Sequence, residues 1–255
     1  MNLNRIKGKI LTKCMIDGQY NLLERIYKKL LAGRLSLKKT VNQEIYFIIS
    51  TGRTGTNFFE SFLNNASKDV YCVHEPQPDL FNISNNKLRH KQNKRVISEQ
   101  LRKARASVLV DFLNSSKTKY IESNPFAAFL VEDLKMLFPT AKFIIIYRDI
   151  DTYLLSAMNK SPLNNNINNF YADSDGRKRI GACDFSKDPH NDQWNELRRS
   201  QKIAWFWNKC NQYLLEFESK NQDKVMSLKF EDFFTKESEL QKCSMKKVLH
   251  FLGIT

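Results

Sequence analysis

The chain has little cysteine, and what it has forms no pairing pattern. Five cysteines (Cys14, Cys72, Cys183, Cys210 and Cys243) among 255 residues are odd in number, widely spaced and without a C-x-x-C pair. That argues against a disulfide framework or a thiolate zinc site and predicts a reducing compartment. No run approaches the about 18 apolar residues that a membrane-spanning helix requires. Met1–Leu11 is basic but has no apolar core, so no secretory leader is expected. There is no helix-turn-helix, zinc-finger or RNP-type signature, so specific nucleic-acid binding is not expected despite a net charge of +14. Also missing is the lysine of a G-x-x-x-x-G-K-[ST] loop, which disfavours a Walker-type nucleotide kinase. Charge alone would suit a non-catalytic module for polyanions, and this stays as a second alternative to the kinase.

What is present centres on Glu44–Leu63. Ile45-Tyr46-Phe47-Ile48-Ile49 is an almost unbroken apolar run of β-branched and aromatic residues, as in a strand covered on both faces. Ser50 to Thr56 turns the chain, with Gly52 and Gly55 free to take positive φ. From Asn57 onward, Phe58, Phe59, Phe62 and Leu63 recur at helical spacing. Strand, glycine loop and helix together aim unpaired N–H groups and a helix dipole at an anion. Arg53 adds a fixed positive charge, and Thr54, Thr56 and Asn57 add short donors. The stretch reads as a phosphate cradle.

A second strand-to-helix junction lies at Ala141–Ser156. Lys142–Tyr147 reads as another buried strand, and Arg148-Asp149 stands at its carboxyl end, where open parallel sheets bind ligands. Ser156 follows eight residues later, two helical turns on. An arginine and a serine converging there suit a second phosphate group.

Together these segments resemble the sulfotransferases that use 3′-phosphoadenosine 5′-phosphosulfate (PAPS). In that family a loop of the form R/K-S-G-T-T holds the 5′-phosphosulfate, and Arg53-Thr54-Gly55-Thr56-Asn57 is similar to it, with threonine for serine and asparagine for the second threonine. Arg148-Asp149-Ile150 with Ser156 resembles the R-D-P strand end and downstream serine that hold the 3′-phosphate, with isoleucine for proline. Phe138 to Phe143 resembles the lead-in to that strand, Leu228 to Phe233 the Y-E-D-L segment, and Phe251-Leu252-Gly253 the F-L-G motif. The resemblance spans residues 44 to 253. It implies a three-layer α/β/α fold with a short central parallel sheet, the P-loop-like sulfotransferase architecture. It also implies PAPS as co-substrate, no metal, and Phe230 against the adenine where relatives have tyrosine. Relatives carry a basic segment after F-L-G that helps hold the nucleotide; the sequence here stops at Thr255, so either that segment lies beyond it or the contacts are expected from elsewhere.

Sulfuryl transfer to an alcohol needs a base for the hydroxyl proton. Val70 to Val73 reads as a second strand ending in His74-Glu75-Pro76, and the next strand of a doubly wound sheet usually neighbours the first. Several branches of the family have a glutamate at this place, so Glu75 is the expected general base, with His74 as its tuner or substitute. Lys119 to Ser123 ends a third strand, and Glu122 is the reserve base; Asn124-Pro125 opens a helix from Phe126 to Phe138. The Glu75 placement resembles glycan and protein sulfotransferases more than phenol ones, and the acceptor expected is a carbohydrate or glycolipid hydroxyl.

The remaining stretches frame this unit. Residues 1–40 form a basic extension with Leu22, Leu23, Ile26, Leu30 and Leu31 at helical spacing, expected to pack on the domain or touch an anionic membrane. Residues 41–255 form the catalytic domain, in a cytoplasmic protein. Eight lysines and arginines crowd Lys87–Arg105, the pattern of a solvated face or an acceptor-lining one. Ser161–Gln193 lacks periodicity and reads as a loop or lid. Trp194–Phe217 and Leu240–Leu252 read as amphipathic helices flanking a last strand, Val225–Phe230, with Trp205 and Trp207 in the core.

Overall fold

The computed structural model describes residues 43–159 and 170–254. The N-terminal extension, with its helix over Leu22 to Leu31, and the asparagine-rich part of the expected lid lie outside them. Five strands, β1 (Glu44–Ser50), β2 (Val70–His74), β3 (Lys119–Ser123), β4 (Lys142–Tyr147) and β5 (Val225–Lys229), form one parallel sheet in the order β2-β3-β1-β4-β5. No helix among the described residues is long and apolar enough to cross a membrane.

Helices cover both faces of the sheet, which explains why β1 is apolar without alternation. Ile45, Phe47 and Ile49 point to one side, with Phe143 and Ile145. There they pack with α3 (Lys94–Asn114), α4 (Val131–Leu137) and α6 (Arg199–Ser219). Tyr46, Ile48, Ile144 and Ile146 point to the other side, against α1 (Thr56–Ala66) and α8 (Ser238–Phe251). The remaining helices are α2 (Phe81–Arg89), α5 (Ile150–Met158) and the short α7 (Phe230–Phe233). Each fully buried apolar side chain of β1 contributes about 1.5–3 kcal/mol. The sheet with helices on both faces is the three-layer α/β/α fold.

The strand order departs from one expectation. β2 does not neighbour β1, because β3 is inserted between them. β2 is fully buried only at Val70 and Cys72 and tolerates the edge, whereas Tyr120 to Ser123 of β3 are all buried. Glu122 lies beside Phe47 in register and so faces α3. There Arg105, itself 1 % exposed, grips it with two hydrogen bonds of 2.6 Å. Tyr120 Oη and Asn124 Nδ2 donate to the same carboxylate at 2.9 and 2.8 Å. Burial lowers the Arg105 pKa, but the Glu122 charge and hydrogen bonds, with Tyr120 and Asp79, together outweigh it and the net shift is upward. Arg105 Nη1 also donates to the Pro78 carbonyl at 2.9 Å, tying down the chain that leaves β2.

Two other expectations shift in detail. The helix expected over Phe126–Phe138 is a 3₁₀ segment, Pro125–Leu130, followed by α4, with Asn124 Oδ1 accepting from Phe126 N–H at 3.0 Å. The charge-rich run forms the end of α2 and the start of α3, and three of its eight cations turn inward. Lys87 meets Asp133, Arg89 meets Asp184 and Arg105 meets Glu122.

Arg105→Met alone strands a buried carboxylate and should cost about 3–5 kcal/mol in urea unfolding. Arg105→Met combined with Glu122→Leu should recover most of that loss. A double variant no more stable than the single would show that the pair contributes more than mutual compensation.

Candidate functional site

The loop between β1 and α1 is built to leave its amides open. Gly52, Arg53 and Gly55 all take left-handed φ, at 83°, 56° and 69°. Ser50 Oγ holds the turn from inside, accepting from Gly52 N–H at 3.0 Å and Thr54 Oγ1 at 2.6 Å. The first paired amide of the helix is Phe58, on the Gly55 carbonyl at 2.9 Å. None of the N–H groups from Arg53 to Asn57 has a hydrogen-bond partner among the described residues. Open amides at a helix start form an anion site. Gly55 is needed twice over: its φ is positive, and a Cβ there would sit 2.2 Å from the Phe234 ring.

The β4 end reaches this loop directly. Arg148 Nη1 donates to the Arg53 carbonyl, and Arg53 Nε donates to Ser156 Oγ at 3.0 Å. Arg53, Arg148 and Ser156, distant in sequence, therefore meet. Asp149 caps α5, accepting from Asp151 N–H at 2.9 Å and Thr152 N–H at 3.3 Å, which starts the helix that presents Ser156. The Arg148 guanidinium stacks on the Phe230 ring at 4.1 Å, and Phe230 packs on Phe234 at 4.7 Å. Trp207 Nε1 donates to the Arg148 carbonyl at 3.0 Å. Burial pushes the Arg148 pKa below its ordinary value; Glu231 opposes this and the Arg53 charge adds to it. Two cations held this close favour an anion between them.

On the other side of the loop, away from β4, lies a cavity of about 330 Å³. Residues 51–53 and 55–57 of the loop line it with His74 and Glu75. Its remaining walls are Phe81, Ser84, Asn85, Pro125, Phe126, Phe129, Phe170, Arg179 and Phe206. Glu75 has φ 43°, uncommon for a residue other than glycine. Its N–H donates to the Ser123 carbonyl at 3.0 Å, and the same carbonyl receives His74 Nδ1 at 3.1 Å. His74 Nε2 is 3.5 Å from Glu75 Oε1. Glu122, committed to Arg105 and fully buried, does not line the cavity. None of the eight cations of 87–105 lines it either.

Several wall residues carry no signal in the sequence. Phe170 and Arg179 lie in an aperiodic stretch, and Ser84 and Asn85 are ordinary positions of α2. The part of the expected lid within the described residues is fixed to the body through Arg89 with Asp184 and through Arg177 with Asp79 at 2.7 Å. Asp188 accepts from Trp205 Nε1 at 3.0 Å. Trp205 is in the core, while Trp207 serves the Arg148 loop.

The model of the sulfotransferase family matches residues 46–255. Among solved structures, the chain is similar to a sulfotransferase domain from the curacin biosynthetic pathway, at 13 % identity over 84 % of this chain and 75 % of that one, with a TM-score of 0.50. It is also similar to a sulfotransferase from Alicyclobacillus acidocaldarius, at 13 % identity over 84 % and 82 %, with a TM-score of 0.49. No curated protein matches it.

Gly55→Ala should lower stability by about 1–3 kcal/mol through backbone strain alone, with the ring clash added. Placing Phe234→Ala in the same chain should relieve the clash and leave the strain, a partial recovery readable by chemical unfolding. A fully neutral Gly55→Ala would remove the requirement for glycine.

Proposed function

The chain belongs to the sulfotransferase family, and we propose that it transfers the sulfuryl group of PAPS to an acceptor hydroxyl bound beside Glu75. The observation that carries this reading is the junction of Arg148 with the Arg53 carbonyl and of Arg53 with Ser156. It joins two anion-binding ends at one loop, as a donor with a 5′-phosphosulfate and a separate 3′-phosphate requires. Arg53 and the open amides of 53–57 hold the phosphosulfate, and Thr54, Thr56 and Asn57 complete that loop. Arg148 and Ser156 hold the 3′-phosphate. Phe230 steadies Arg148 and borders the adenine. The donor set is cationic and amide-based, which fits a nucleotide with two separate anionic ends, and the chemistry calls for no metal.

The sheet order supports a division of labour. β4 lies one strand from β1 and β2 lies two strands away on the opposite side. At about 4.8 Å per strand, the donor-side and acceptor-side groups flank the loop from both sides. Glu75 removes the hydroxyl proton as the acceptor oxygen bonds to sulfur and the bond from sulfur to the bridging phosphate oxygen breaks. Arg53 offsets the charge growing on that bridging oxygen, and 3′-phosphoadenosine 5′-phosphate leaves. If His74 Nδ1 donates to the Ser123 carbonyl, the neutral ring leaves Nε2 free to share the proton that Glu75 gains. Five phenylalanines with Ser84 and Asn85 favour an acceptor with an extended apolar body. Within the carbohydrate class this points to a glycolipid-type alcohol rather than a bare glycan chain.

3′-Phosphoadenosine 5′-phosphate at about 100 times its dissociation constant should stabilise the protein by about 2.7 kcal/mol. An equal stabilisation by 5′-AMP would remove the 3′-phosphate site. Glu75→Gln should cut turnover by about 10²–10⁴-fold while leaving nucleotide binding intact. Turnover near the parent level would move the base to another group.

A further inference from the structure

Arg179 is part of the same cavity as Arg53 and Glu75 but has no role in the transfer just described. Its side chain is only 5 % exposed, and its Nε donates to Asp175 Oδ2 at 2.6 Å. Its Nη2 is buried and has no hydrogen-bond partner among the described residues. Folded proteins leave few such donors open, because each forfeits its hydration without replacement.

The surroundings keep this group in place. Asp175 is already occupied by the N–H groups of Tyr171 and Arg177, at 3.0 and 3.2 Å. The Phe170 ring lies 4.4 Å from the Arg179 guanidinium and the Phe81 ring 5.7 Å. Arg89 Nη2 donates to the Arg179 carbonyl, and Asn85 Nδ2 donates to the Lys178 carbonyl at 3.2 Å. The backbone is therefore anchored to α2, and the charge is held between rings that belong to the aromatic wall. Neither ring belongs to the 50–57 loop that receives the donor.

Taking the cavity as the acceptor site, as proposed above, we infer that Arg179 is a specificity residue that binds an anionic group on the acceptor. The acceptor class is then an alcohol with an apolar body and a carboxylate, sulfonate or phosphate substituent. A guanidinium edge suits a planar or tetrahedral oxyanion, and desolvation by the phenylalanines strengthens the contact.

The test uses four matched probes: 4-(hydroxymethyl)phenylacetate, its sulfonate and phosphate-ester counterparts, and its neutral amide. Each is titrated calorimetrically into the protein alone and into protein saturated with the 3′,5′-bisphosphate. At least one anion should bind ten-fold or more tightly than the amide. Arg179→Gln should erase that preference and Arg179→Lys should retain part of it, with bisphosphate affinity unchanged in both. If Arg179→Gln folds poorly because Asp175 is left unpaired, Arg179→Gln with Asp175→Asn carries the same expectation. Equal binding of anions and amide, no binding of any probe, or a preference that survives Arg179→Gln would overturn the assignment. Failure of the parent protein to bind the bisphosphate would strike the donor reading instead, while the titration without nucleotide still decides Arg179.

Discussion

Everything at the site depends on keeping two guanidinium groups beside one short loop. Arg148 arrives from β4, Arg53 from the loop after β1, and the contact between them runs through the Arg53 carbonyl. Like charges at about 4 Å repel by about 1 kcal/mol in bulk water and several-fold more at a partly dry surface. The fold offsets this with contacts that act on each group separately. Phe230 presents its ring to Arg148, Glu231 supplies a carboxylate nearby, and Ser156 accepts from Arg53. None of these neutralises the pair fully. An anion entering the loop gains from both charges and from amides that have no other partner among the described residues.

The placement of β3 determines what faces this charged loop. With β3 between β1 and β2, the chain after β2 reaches the cavity over the top of β3, held by the Ser123 carbonyl. That route is possible because β3 can be an interior strand despite carrying Glu122. Arg105, Tyr120 and Asn124 satisfy the carboxylate completely enough for it to sit in the core. The buried pair is thus less a source of net stability than the condition for this strand order. Through Pro78, the same arginine also fixes the segment that follows Glu75.

The parts legible in the sequence are those whose physics is local. The strand, turn and helix of residues 44–63 carry their signal within a single stretch, as does the β4 end with Asp149 and Ser156. Their meeting could be inferred because both lie at the carboxyl ends of parallel strands. The insertion of β3 could not, since adjacency in a sheet depends on which strand buries both faces. Glu122 has the look of a half-exposed strand-end carboxylate until Arg105 is placed opposite it on α3. Arg179 is hidden for a related reason: its partners Asp175, Phe170 and Phe81 define it only after the 170–184 segment has folded against α2. Periodicity reports faces of helices and strands, and an irregular wall has no period.

Arg53 and Glu75 share one further property. Both occupy left-handed backbone positions where glycine would be the less strained choice. At Gly52 and Gly55, where the loop needs only its amides, the chain does use glycine. At Arg53 and Glu75 it keeps a long charged side chain and bears the strain, offset by the Arg148 bond to one carbonyl and the Ser123 bond to the other residue's N–H. Arg53 and Glu75 line the same cavity from different strands, and Phe170, at φ 31°, lines it from the segment after α5. Strain retained at two such positions, each clamped by a hydrogen bond from a neighbouring strand end, is hard to account for by folding alone. It is accounted for if the cavity needs a cation and a carboxylate held at fixed positions while a proton and a charged group change partners between them.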